Sequence, residues 1–62
     1  MESEDLYLGR IAYEAYCETT NWKSAVTGAD LPGFYSTSEA VRTGWIASAK
    51  AVIDANEELL ND

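Results

Sequence analysis

The sequence predicts an all-α protein: an antiparallel two-helix hairpin with a long aromatic connection, packing as a homo-oligomeric helical bundle. Three observations carry this expectation. Apolar residues recur at helical spacing in two separate segments. Serines suited to helix capping stand at the start of each segment, and the chain's single proline falls between them. With 62 residues, 47% of them hydrophobic, the chain reads as one domain over 1–62, near the size at which a single core is marginal.

The first helix is expected over residues 4–19. Ser3 can cap it, and Glu4 and Asp5 in its first turn suit the positive end of the helix dipole. On a helical wheel Leu8, Ile11, Ala12, Ala15 and Thr19 share one face. Leu6, Gly9, Tyr13, Tyr16 and Cys17 continue round to a second, weakly apolar face, leaving Tyr7, Arg10, Glu14 and Glu18 as a polar strip. That apolar arc is wider than one neighbouring helix can cover. Thr19, Thr20 and Asn21 end the helix, because their side chains compete for backbone hydrogen bonds.

The connection contains Gly28 and "LPG", where Pro32 fixes φ and lacks a backbone donor. At about 15 residues it is longer than a helical hairpin needs. "SAVTG" within it is the stretch closest to a strand signal. A second helix follows over residues 37–60, opened by a capping box between Ser36 and Glu39. Val41, Trp45, Ala49, Val52, Asn56 and Leu59 or Leu60 form its large-residue face. Beside it runs a small-residue stripe of Ala40, Gly44, Ser48, Ala51 and Ala55, which lets another helix backbone approach closely. Two helices leave apolar surface without cover, so a homodimer or higher symmetric oligomer is expected. Leu6, Gly9 and Tyr13 on helix 1 and Gly44, Ala51 and Ala55 on helix 2 are its expected contacts.

Charge and composition exclude several function classes. The net charge is −7, which opposes binding to nucleic acid or an anionic membrane. Residues 1–20 carry five acids and one base, and residues 36–62 five acids and two bases. An antiparallel pair would place Glu2, Glu4 and Asp5 beside Asp54, Glu57, Glu58 and Asp62, making one acidic pole that suits a cationic partner. No apolar run is long enough for a membrane span and the acidic N-terminus is no signal peptide, so a soluble, cytoplasmic protein is expected.

The chain has no histidine and a single cysteine, Cys17, so neither a zinc site nor a Cys–His pair can form. Cys17 reads as a small, partly buried apolar residue. The four glycines have neither phosphate-loop nor dinucleotide-fingerprint spacing. Glu14 with Glu18, and Asp54 with Glu58, stand one helical turn apart and read as solvated faces. Catalytic, metal and cofactor residues are therefore not expected, and the chain reads as non-enzymatic. The candidate ligand-binding residues are Tyr13, Tyr16, Trp22, Tyr35, Ser36, Ser38, Arg42 and Trp45. Tyrosine and tryptophan rings are stacking platforms for a base or a partner's side chain. Ser36, Ser38 and the free N–H groups at the start of helix 2 add an anion site beside Arg42. Phe34 and Trp45 are expected to close the core, with Trp22 and Tyr35 forming a concave site next to Arg42.

Across Ile11 to Val52, "AYEAYCE…W…G…LPGF…S.EAVRTGWIASAKAV" resembles a set of very short bacteriophage-encoded proteins and is similar to the helical repeat of ryanodine receptors. The shared features are an aliphatic-x-x-Tyr-x-x-Tyr-like helix, a Leu-Pro-aromatic connection and a Val-Arg-x-Gly-Trp-like segment. Some small phage proteins of this kind are counter-defence factors, and a few sequester nucleotide-derived immune signals such as cyclic oligonucleotides or ADP-ribose derivatives. The resemblance thus implies a phage protein that holds such a signal in the host cytoplasm. A second expectation, from the charge, is an acidic protein–protein inhibitor of a host defence protein.

Overall fold

In the computed structural model, residues 2–61 are described. Helix α1 spans Glu4–Thr19 and helix α2 spans Glu39–Leu60, with a single 3-10 turn at Phe34–Ser36 between them. Among the described residues no strand occurs, only an isolated bridge between Lys23 and Asp30.

Each boundary has a local cause. Ser3 caps α1 through its hydroxyl, which accepts from the Leu6 N–H at 3.2 Å. At the other end, the Trp22 N–H donates to Cys17 O (2.7 Å) and the Asn21 N–H to Glu18 O (3.2 Å). This is a Schellman closure, with asparagine in place of the usual glycine at the left-handed position (Asn21 φ 55°). Trp22 is also left-handed (φ 60°), a costly conformation for a bulky residue, and it carries the indole back over α1. Residues 23–30 then form a tight reversal. The Ser24 N–H donates to Ala29 O, and the Ser24 hydroxyl accepts from Val26 and Thr27. "SAVTG" is therefore a turn, closed by Gly28 at φ 75°.

The start of α2 corrects the sequence expectation. The cap is Ser38, which accepts from the Val41 N–H at 3.2 Å, and the helix begins at Glu39. Ser36 cannot form the box with Glu39 because it closes the 3-10 turn, its N–H donating to Gly33 O. Thr37 is extended and donates both its N–H and its hydroxyl to Phe34 O. α2 stays helical to Leu60 although Glu57 and Glu58 oppose its dipole.

The core also differs from expectation. Its buried residues are Tyr13, Cys17 (0% exposed) and Phe34 (2%), flanked by half-buried Leu6, Trp22, Leu31 and Trp45. The weakly apolar face of α1 points inward, while on the aliphatic face Leu8 and Ala12 are half-buried and Ile11 and Ala15 exposed. The cause is volume. Phe34 needs space between the helices, and Gly9 provides it. A Cβ built on Gly9 would lie 3.1 Å from Phe34 Cζ and 2.7 Å from Ile46 Cγ1. Gly9 and Tyr13 are thus consumed inside the chain and cannot be the expected contacts of a second copy.

Contacts between the helices pair Asp5 with Lys50, Gly9 with Ile46 and Tyr16 with Trp45. Beyond residue 50 every described residue of α2 is exposed, and no residue of the whole helix is buried.

Candidate functional site

The aromatic residues assemble around Tyr13. Its ring meets Trp22 edge-on (centroids 6.2 Å apart), Trp45 edge-on (5.7 Å) and Phe34 at a tilt (5.8 Å). Edge and tilted contacts suit the positive rim and negative face of such rings. The Tyr13 hydroxyl donates to Pro32 O at 2.7 Å, tying the connection to α1. Burial pushes the Tyr13 phenol up to about 12, since the phenolate would lose its water. Tyr16, more exposed, lies against Trp45 at 5.3 Å. Trp22 donates its indole N–H to Glu18 Oε1 at 2.9 Å.

Tyr13, Tyr16, Trp22 and Trp45 are therefore brought together, and the other four candidates are not part of that cluster. Tyr35, 54% exposed, stands edge-on to Phe34 and donates its hydroxyl to Glu2. It lines an open depression of about 550 Å³ with Glu2, Leu6 and Arg10. The cation facing Tyr35 across this depression is Arg10, not Arg42. Ser36 ends the 3-10 turn and Ser38 caps α2. Arg42 is half-buried and donates to the Thr37 carbonyl, so it braces the entry to α2.

Arg10 was missed because Glu2, eight residues before it, and Tyr35, across the depression, are not its neighbours on the helix. It donates to Glu2 Oε2 and to Glu14 Oε1 (2.8 and 2.9 Å), and its guanidinium lies 5.5 Å from the Tyr7 ring centre. Only the Arg10–Glu14 spacing of one helical turn was visible locally. The Arg10 guanidinium, followed by the Tyr35 hydroxyl, holds the Glu2 carboxyl below its ordinary range. The same bond to Glu2 pushes the Tyr35 phenol up, and Glu2 raises Arg10. This cluster is internally satisfied.

Two surface features remain open to solvent. One is an apolar groove of about 370 Å³ between the helices, lined by Leu8, Ile11, Ala12, Trp45, Ser48, Ala49, Val52 and Ile53. It joins the aliphatic face of α1 to the large-residue face of α2. The other is an acidic end. Glu4, Asp5 and Asp54 share a depression with Lys50, and Glu57 and Glu58 follow on the exposed end of α2. Glu2, expected at that pole, turns to Arg10 instead. Asp62 lies outside the described residues.

Among the described residues no group of histidine, cysteine, aspartate and glutamate side chains is placed to hold a metal ion. No described helix is long and apolar enough to cross a membrane. Comparison finds no matching family model, curated protein or solved structure.

Proposed function

We propose that this chain is a small non-enzymatic binding protein of the phage type, acting in the host cytoplasm. In this reading it is an antiparallel helical hairpin that works as a homo-oligomer and uses its acidic pole to occupy a basic surface on a host protein. The charge inventory supports this reading. All four cations already have partners within the chain: Arg10 with Glu2 and Glu14, Lys23 with Asp30, Arg42 with Thr37, and Lys50 with Asp5. Glu4, Asp54, Glu57 and Glu58 form no ion pair among the described residues. The charge left for recognition is negative, which steers association toward a cationic surface.

Sequestration of a nucleotide-derived signal has less support. The exposed rings of Tyr16 and Tyr35 favour it, but an anionic ligand would have to displace Arg42 from Thr37 or Arg10 from its carboxylates. The test is capture from host lysate by the wild type and by the Asp54→Lys, Glu57→Lys, Glu58→Lys triple variant. Small molecules released from the pure protein by heat are identified in parallel by mass spectrometry. The expected result is a specific host protein retained by the wild type, released by salt and lost in the triple variant. A nucleotide released by heat, with no protein captured, would favour the sequestration reading instead.

A further inference from the structure

α2 is a 22-residue helix with no buried residue, although it carries large apolar side chains. Val52 is 70% exposed and Leu59 74%. Val41, Trp45, Ser48, Val52, Ala55 and Leu59 recur at alternating steps of four and three residues. That is the 3.5-residue repeat of a seam between two helices, about 27 Å long at the helical rise.

We infer that this seam is a homodimer interface in which α2 pairs antiparallel with α2 of a second copy, in one specific register. The inference rests on the homo-oligomer reading above and adds the surface, the direction and the register. In that register Val41 lies opposite Leu59 of the second copy, Trp45 opposite Ala55, and Ser48 opposite Val52. Each pair recurs by symmetry, as a two-fold interface requires. Large residues meet small ones in two of the three pairs, so the layers interlock. Gly44 and Ala51 flank the seam, and a Cβ on Gly44 would meet nothing within 4 Å, which leaves room for close approach.

Charge selects the direction. The first turn of α2 carries Glu39 and Arg42 and its middle Lys50, while Asp54, Glu57 and Glu58 crowd its last part. A parallel pair would set the two acidic ends side by side. The antiparallel pair separates them and brings each toward the positive dipole end of the other helix.

The surface area also fits. The chain exposes 4608 Å², against about 3,950 Å² for a compact monomer of 6.8 kDa. The excess of about 650 Å² is close to the roughly 800 Å² that each partner buries in a stable interface. The radius of gyration, 13.2 Å, likewise exceeds the roughly 10.6 Å of a compact chain of this length.

The experiment combines sedimentation with cysteine crosslinking of the full chain. The wild type should sediment at twice the chain mass at micromolar concentration, and Val52→Glu at the single-chain mass with its helical spectrum retained. Ser48→Cys and Val52→Cys are then oxidised separately and as a mixture. In the inferred register Ser48 meets Val52, whereas Ser48 stands about 6 Å along the axis from its own copy. Adding the spacing between the helices puts that like pair beyond the roughly 7 Å reach of a disulfide. The mixture should therefore crosslink several-fold more than either variant alone. A wild type that stays a single chain, a Val52→Glu variant that remains a dimer, or a mixture no better crosslinked than its components would overturn the inference. A single-chain wild type that still captures a host protein through its acidic pole would leave that binding reading standing.

Discussion

Gly9→Ala is a sharp test of the packing, because the same change has opposite consequences at two glycines. Within an exposed helix, replacing glycine by alanine stabilises by about 1 kcal/mol, since alanine loses less backbone freedom on folding. Gly9 lies mid-helix in α1, yet its new Cβ would stand 2.7 Å from Ile46 Cγ1, 3.1 Å from Phe34 Cζ and 3.2 Å from the Ile46 backbone nitrogen. Apolar contacts are comfortable at about 3.5–4.0 Å. Ile46 Cγ1 can rotate away, but the backbone nitrogen moves only with α2 itself, and Phe34 is locked in the core. Overpacking of this kind costs about 1–3 kcal/mol. Set against the propensity gain, the net result is a loss of about 1 kcal/mol, or a melting temperature lower by about 4–8 °C in a domain of this size. Gly44→Ala meets nothing within 4 Å and should raise the melting temperature in dilute solution. Thermal unfolding followed by circular dichroism reads both. If Gly9→Ala stabilises as much as Gly44→Ala, α1 and α2 do not approach each other at Gly9 and the packing described here is wrong.

Other outcomes follow from single contacts. Ser38→Ala should cost about 1 kcal/mol through the lost cap, and Ser36→Ala much less, as chemical denaturation of the two variants will show. Cys17, fully buried, should resist a thiol reagent in the folded chain and react at the rate of unfolding. The Tyr13 phenol is raised from 10.0 to about 12 in the folded chain, so the native state holds its proton more tightly than the unfolded state. That contribution is complete below pH 10 and is lost as pH rises toward 12. Stability should fall across this window, and less steeply in Tyr13→Phe.

The helices were legible because their signals are local. The helical period and Ser3 with its acidic first turn are read within a few residues of one another, and Pro32 marks the connection between the two periodic segments. The inward face of α1 was not legible. Leu8 and Ile11 have the chemistry of a core, whereas Gly9 matters for the space it leaves, and the Phe34 ring that fills it comes from a distant segment. The cap of α2 was misplaced for a related reason. Ser36 and Glu39 have capping-box spacing, but the 3-10 turn that places Phe34 in the core uses Ser36 first. Within the candidate site, the clustering of rings near Tyr13 follows from helix spacing and loop length. The pairing of Tyr35 with Glu2 and Arg10 depends on the N-terminus lying against the connection, which no local pattern encodes.

Amide hydrogen exchange measured over a range of protein concentrations asks whether the outer face of α2 is a surface awaiting a second copy. Amides within α1 around Tyr13 and Cys17 belong to the internal core and should exchange at rates independent of concentration. Those of residues 51–60, exposed throughout the single chain, should become progressively protected as concentration rises. Exchange along residues 51–60 that stays fast at every concentration, with the α1 core protected, would contradict the assembly of this chain through α2.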